Sequence, residues 1–246
     1  MNCNSSNTLV VIPARGGSKR IPGKNIIEIF GQPMIYWPMM AIRKIISKHN
    51  ILVSTDSLEI KKLVEAKGLS VPFMRPKNLA DDFTGTMEVT KHALDWYEKN
   101  ISKVEFVLTI YPTAVLLKSE DILASMSKMN NDPKLQSVLS AATFPFPIQR
   151  AIFEDESGYV KMFQPQNYNA RSQDLVEAFH DAGQFSLSSA QSVRKELLLT
   201  KSNVKIQKIN RNNVIDIDTL EDLEVAEEKL RIRFEKNFES NWKFEF

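Results

Sequence analysis

The stretch VIPARGGSKRIPGKN (residues 11–25) ends an apolar run in a glycine-rich turn carrying Arg15, Lys19, Arg20 and Lys24, with no acid among them. Four cations so close in sequence repel one another, and a bound anion relieves the repulsion. Gly16 and Gly17 let backbone N–H groups approach such an anion, and Gly23 permits a second tight bend. Phosphate is the group this chemistry suits. The loop is not a Walker A motif: Gly17 and Gly23 enclose five residues, and Asn25 follows Lys24 where Ser or Thr belongs. The dinucleotide fingerprint G-x-G-x-x-G is also absent. A phosphate cradle of another kind is expected.

A second constellation lies near the other end. IDIDTLEDL (215–223) carries Asp216 and Asp218. Residues two apart on a strand point to the same face, so both carboxylates can meet one hard cation, with magnesium the natural choice. Asp218 also stands three residues before Glu221, the spacing of a helix N-cap and its capping-box partner, so a structural role stays open beside the metal role. Of the three histidines, His49 and His92 sit in helical or helix-end contexts and read as structural. Trp37, Trp96 and Tyr97 read as core.

These groups need a frame to hold them. TLVVIP (8–13), NILVSTD (50–56), VEFVLTIYP (104–112) and LQSVLSAATF (135–144) read as buried strands, apolar on both faces as in a parallel sheet. PMIYWPMMAIRKIISK (33–48) reads as a helix with Pro33 near its start and a kink or restart at Pro38. TMEVTKHALDWYEKN (86–100) places Val89, Ala93, Trp96 and Tyr97 on one face. TLEDLEVAEEKLRIRFEK (219–236) does the same with Leu223, Ala226, Leu230 and Phe234, its acids first and its bases last as the helix dipole prefers. Alternating strands and helices predict an α/β fold with a mostly parallel sheet. Residues 143–190, rich in Phe, Pro, Gln and Asn, break the rhythm and are expected to form an insertion or lid within a single domain spanning 1–246. The last ten residues, NFESNWKFEF, are aromatic and are expected to dock on a neighbour or fray.

Composition narrows the partners. The 246 residues carry a net charge of +2, too little for general nucleic-acid binding, so the cationic cluster is local and suits a small anion. The only cysteine is Cys3, which excludes an internal disulfide and a cysteine-based zinc site. No apolar run approaches the roughly 18 residues of a membrane span. The polar start MNCNSSNT has no signal-peptide core. A cytoplasmic location, with neither membrane nor nucleic acid as partner, is the expectation.

The signature IPARGGSKRIPGKN resembles the opening of the cytidylyltransferases that activate nine-carbon acidic sugars, the acylneuraminate (sialic acid) family. STDSLEI (54–60), RPKNLADD (75–82) and IDIDTLEDL (215–223) follow in that family's order, so the resemblance runs from about residue 8 to about residue 234. Within the family, ARSQDLVEAFHDAGQF (170–185), FPFPIQRA (144–151) and IYPTAV (110–115) are similar to the branch that makes CMP-pseudaminic acid. The sialic and legionaminic branches carry Asn-Gly-Ala at the place of His180–Phe185. This chain departs from the pseudaminic pattern at Pro112 and Val115, and at Ser186, Leu187 and Ser188, where an aromatic pair and a glycine normally follow Gln-Phe.

The resemblance implies a Rossmann-like, glycosyltransferase-A-like nucleotidyltransferase fold and a defined reaction. The anomeric hydroxyl of a 2-keto acid sugar attacks the α-phosphorus of CTP and pyrophosphate leaves. It implies that Arg15, Gly16, Ser18, Arg20 and Lys24 hold the triphosphate, that Asn25 lies near ribose or base, and that Arg15, Lys24 and Asp216 serve the chemistry. Lys19 is equally a solvent-facing charge. LADDFTGT (79–86) is expected to place Ala80 against the cytosine, with Thr84 or Thr86 as a polar contact and Arg75 as either a ligand group or an ion-pair partner. Tyr111, Arg171, His180, Asp181 and Gln184 are the sugar candidates, the cation answering the sugar's carboxylate. His180 is either a proton acceptor or a packed side chain. Magnesium on Asp216 and Asp218 is the implied cofactor, and a homodimer built through 143–190 the implied assembly. Another nonulosonic or octulosonic acid is the main alternative substrate. A sugar-1-phosphate nucleotidyltransferase is a second reading, but its Gly-x-Gly-Thr-Arg-Leu pattern is missing. A nucleotide-binding protein without turnover is the third.

Overall fold

The computed structural model describes residues 2–197 and 203–236; the aromatic stretch 237–246 lies outside them. The chain opens with β1 (Thr8–Pro13), a small hairpin of β2 (Glu28–Ile29) and β3 (Gln32–Pro33), and α1 (Tyr36–Arg43). Then come β4 (Ile51–Ser54), α2 (Leu58–Ala66), α3 (Thr86–Asn100), β5 (Phe106–Ile110), α4 (Ser119–Asn131) and β6 (Ser137–Thr143). A second hairpin, β7 (Ile152–Glu154) and β8 (Val160–Met162), precedes the long β9 (Phe179–Ser189). The described chain closes with α5 (Ala190–Arg194), β10 (Val204–Lys208) and α6 (Leu220–Lys236).

Six strands form one sheet in the order β10-β6-β9-β5-β1-β4. All run parallel except β9, which is antiparallel to both of its neighbours. Successive side chains of a strand face opposite ways. Leu9, Val11, Leu52 and Val107 therefore pack with Ala93, Leu94 and Tyr97 of α3 and Val193 of α5. Val10, Ile12, Val53 and Leu108 pack on the other face with Met39 and Ile42 of α1, Ile60 of α2 and Met126 of α4. Two covered faces are why these strands read as continuous apolar runs.

A third apolar cluster decides where the chemistry goes. Ile21 from the basic loop, Trp37 and Met40 of α1, Leu116, Ile217, and Ala226 and Leu230 of α6 pack together. Ile21 and Ile217 are almost fully buried, at 1% and 0% exposure. Burying each contributes about 2 kcal/mol, so one cluster draws residue 21 and residue 217 to the same place.

Several expectations shift. The predicted helix 33–48 is shorter, with Pro33 in β3 and Pro38 third in α1. There the missing N–H has no partner to lose, so Pro38 neither kinks nor restarts the helix. The helix 86–100 forms as expected. The span 143–190 divides in two. Residues 144–178 leave the sheet and carry the β7–β8 hairpin, whereas Phe179–Ser189 is a central strand. The elements α2, α4 and β10 add to those expected from the sequence. Among the described residues, no helix is long and apolar enough to cross a membrane.

Candidate active site

The carboxyl ends of β1, β4 and β5 meet at one edge of the sheet, where open α/β sheets bind their ligands. The loop after β1 is pinned there by its backbone. Ala14 N–H donates to Ser54 O (2.9 Å), Gly16 N–H to the Asp56 carboxylate (2.8 Å), and Asn25 Nδ2 to Arg15 O (2.8 Å). Gly23 takes the left-handed conformation (φ 66°) and starts the turn Lys24–Ile26. Gly16 serves a different need: a Cβ there would lie 2.9 Å from Ser57 Cβ.

The four cations are paired by acids from far along the chain. Asp82 takes Arg15 (2.7 Å) and Lys19 (2.5 Å); Asp218 takes Arg20 (2.8 Å) and Lys24 (3.2 Å). Arg15 also donates to Asp81 O, and Lys24 to Ile217 O. Lys19, with its side chain 81% exposed, sits on the open side of this network. The four cations and Asp82 line a cavity of about 560 Å³, together with Ser18, Asn25 and Arg75. Thr84, Thr86, Tyr111 and Asp216 line it as well.

Asp216 and Asp218 flank the buried Ile217 in the loop outside the sheet that leads into α6, Asp216 exposed and Asp218 partly so. Partial burial, and then the charge of Asp218, hold the Asp216 carboxyl above the usual carboxylate range. Asp216 has no ion-pair partner among the described residues. The capping box differs from the expected one. Asp222 accepts from the N–H groups of Asp218 (2.9 Å) and Thr219 (2.8 Å), and Thr219 Oγ1 accepts from Asp222 N–H (3.2 Å). Thr219 and Asp222 therefore cap α6 in place of Asp218 and Glu221, leaving the Asp218 carboxylate to the cations.

Arg75 is 6% exposed, and its guanidinium donates to Ser54 Oγ and Ser54 O. Burial lowers its pKa to about 10, against the pull of Asp56 and with the push of Arg15. It lies beneath the basic loop and adds positive charge to the cavity wall. Beside it, the Asp81 carboxylate accepts from Phe83 N–H, Thr84 N–H and Thr84 Oγ1, which fixes the turn. Ala80 ends the short helical turn Lys77–Leu79, its neighbours Leu79 and Asp81 lining the cavity.

The sugar candidates separate. Tyr111 lies between the main cavity and a second one of about 230 Å³, which Asp181, Ser186 and Ser188 also line. Burial raises the Tyr111 phenol. Gln184 is 2% exposed; it sits in a bulge of β9, accepts from Tyr111 N–H and donates its amide to Asn213 O (2.5 Å). That engagement makes it a tie between strand and loop; its Oε1 is buried without a hydrogen-bond partner, and it lines neither cavity. His180 packs edge-on to Phe144 and engages Asp181 O through Nδ1 (2.8 Å). Arg171 is exposed on the 144–178 excursion and pairs with Asp174 (2.7 Å). Neither lines either cavity. Asp56, Asp82 and Thr113 take part although their types and spacing do not single them out; STDSLEI and RPKNLADD contain the first two.

A basic loop after the first strand, facing a carboxylate pair across the carboxyl edge of such a sheet, marks an α/β nucleotidyltransferase. The chain belongs to the cytidylyltransferase family, whose model matches residues 9–236. It is 35% identical over 230 residues to the pseudaminic acid cytidylyltransferase of Campylobacter jejuni subsp. jejuni serotype O:2, covering 94% of this chain and 99% of that one. The N-acylneuraminate cytidylyltransferase of Streptococcus agalactiae serotype V is 28% identical over 216 residues, 87% of this chain and 51% of that one. Among solved structures, CMP:2-keto-3-deoxy-manno-octonic acid synthetase complexed with CTP matches with a TM-score of 0.68 at 15% identity, over 92% of this chain and 99% of that one. That likeness shows the fold.

Proposed function

We propose that the protein transfers CMP from CTP to the anomeric hydroxyl of pseudaminic acid, releasing pyrophosphate. The observation that carries this reading is the convergence of Arg15, Ser18, Arg20 and Lys24 with Asp216 around one cavity. The relative from Campylobacter jejuni, named for the same reaction, supports the choice of sugar.

The residues have separable tasks. Arg15, Arg20 and Lys24 hold the triphosphate and offset the charge that develops as pyrophosphate departs. The N–H groups around Gly16 and Ser18 add donors. Thr84, Thr86 and the backbone beside Ala80 are placed to read the base. Tyr111 and Asp181, on the wall between the two cavities and in the second, are placed for the sugar. Asp216 and Asp218 fit magnesium: both donors are hard oxygens, and a cation would offset the partial burial and the neighbouring Asp218 charge that raise Asp216. A bound magnesium ion would neutralise phosphate charge and orient the leaving group.

The 144–178 excursion supports a homodimer. Phe146, Tyr159, Phe163, Tyr168 and Val176 are each at least 66% exposed there, an apolar density that a second copy would cover. CTP is a cytoplasmic metabolite, which supports action in that compartment.

A pyrophosphate-release assay across CTP, UTP and ATP, with pseudaminic, legionaminic, N-acetylneuraminic and octulosonic acids, tests the proposal. Release should require CTP and be fastest with pseudaminic acid. A faster rate with another sugar overturns the substrate, and silence across the whole panel overturns the activity.

A further inference from the structure

Two carboxylates hold the four cations of the basic loop, and they differ in what they would do next. Asp218 is one of the two carboxylates proposed above to hold magnesium. Asp82 lines the cavity itself, and its carboxylate bonds only to Arg15 and Lys19 among the described residues. The turn that carries it does not need it, because Asp81 makes the turn's hydrogen bonds. Its oxygens lie where Arg15 and Lys19 would otherwise present N–H groups to a phosphate.

We propose that Asp82 is a resident counter-ion that occupies part of the polyphosphate seat and weakens the hold on pyrophosphate, so that product leaves. The inference rests on the reading that the basic loop binds the triphosphate. An incoming polyphosphate must take Arg15 and Lys19 from a carboxylate already in contact with them. The displaced carboxylate stays tethered beside the seat, repels the bound anion, and recovers both cations as pyrophosphate departs. Without Asp82 no carboxylate would hold the same cations in the free protein, and they would grip any polyphosphate more tightly. Asp82 thus trades nucleotide affinity for turnover.

The test is calorimetric titration of pyrophosphate and of CTP, each with magnesium, into the full-length protein and its Asp82→Asn and Asp82→Ser variants. Both variants should bind pyrophosphate roughly tenfold more tightly than the parent at low salt, as the loss of two competing ion pairs allows. The gain should fade toward 0.5 M salt, where the Debye length is about 4 Å. Pyrophosphate should also become a stronger product inhibitor of both variants. Serine keeps the test open if the asparagine amide still tethers Arg15, and melting curves confirm that each variant folds. Unchanged affinity in folded variants overturns the inference. Weaker binding also overturns it, because Asp82 would then be positioning Arg15 for phosphate. Failure of the parent protein to bind CTP would instead refute the reading of the site.

Discussion

Gly16→Ala should disable the basic loop by displacing it while leaving every charge in place. The added methyl carbon would stand 2.9 Å from Ser57 Cβ, about half an ångström inside the closest ordinary contact. Ser57 cannot retreat easily: its Oγ caps α2 by accepting from Ile60 N–H. The loop must move instead, and the Gly16 N–H bond to Asp56 moves with it. Crowding of this kind costs about 1–3 kcal/mol, which lowers the melting temperature of a protein this size by roughly 2–12 °C. Misplacing Arg15 and Ser18 by such a distance should cost roughly ten- to a hundredfold in kcat. Gly17→Ala is the internal control, since a Cβ at that position would meet nothing within 4 Å. Pyrophosphate-release kinetics and thermal unfolding measure both effects. The steric reasoning is refuted if Gly16→Ala keeps the parent rate and melting temperature, or if Gly17→Ala is equally impaired.

Two further outcomes follow from the charges. Asp216→Asn should raise the magnesium concentration needed for half-maximal activity by tenfold or more. Because its carboxyl titrates above the ordinary range near pH 3.9, activity at limiting magnesium should fall as pH drops toward that raised value; an identical magnesium titration in the variant would reassign Asp216 to folding. Arg194→Ala should destabilise the α3–α5 contact by about 1–2 kcal/mol, because Arg194 grips the nearly buried Glu98 through two bonds of 2.5 and 3.1 Å. Burial alone would raise the Glu98 carboxyl, but Arg194, Val104 N–H and Lys103 outweigh it and hold it low. A lowered carboxylate stabilises above its unfolded pKa near 4.3 and loses that contribution as pH falls through its folded value. The gap in melting temperature between parent and variant should be full at neutral pH and close below about pH 4; a constant gap would contradict the pairing.

What is legible in the chain and what is not divides along physical lines. β1 is legible because two covered faces leave an unbroken apolar run, and α3 because a period of 3.6 sorts Val89, Ala93 and Tyr97 from the exposed residues. β9 is hidden. Its HDAGQFSLSS is polar by composition, and partners in β6, distant along the chain, answer it: the Ser188 hydroxyl bonds Ser137 at 2.8 Å and Phe185 N–H donates to Ser140 Oγ. The capping box falls one residue from its expected place because Asp218 and Thr219 are both good caps, and only the backbone of α6 selects between them. The tie that Gln184 makes is equally hidden, because no local pattern announces a bulge that turns an amide toward Asn213.

The amino-acid sequence by itself determined the strand, the glycine turn, the concentration of cations and the spacing of Asp216 and Asp218, because each depends on neighbours a few residues away. Which acids answer those cations was decided only by the tertiary structure. Asp82 lies 67 residues from Arg15 and Asp218 lies 194 residues from Lys24, and pairing across such separations is set by how the apolar segments between them pack. Ile21 and Ile217 enter one cluster, and the charged side chains beside them are carried into contact as a consequence.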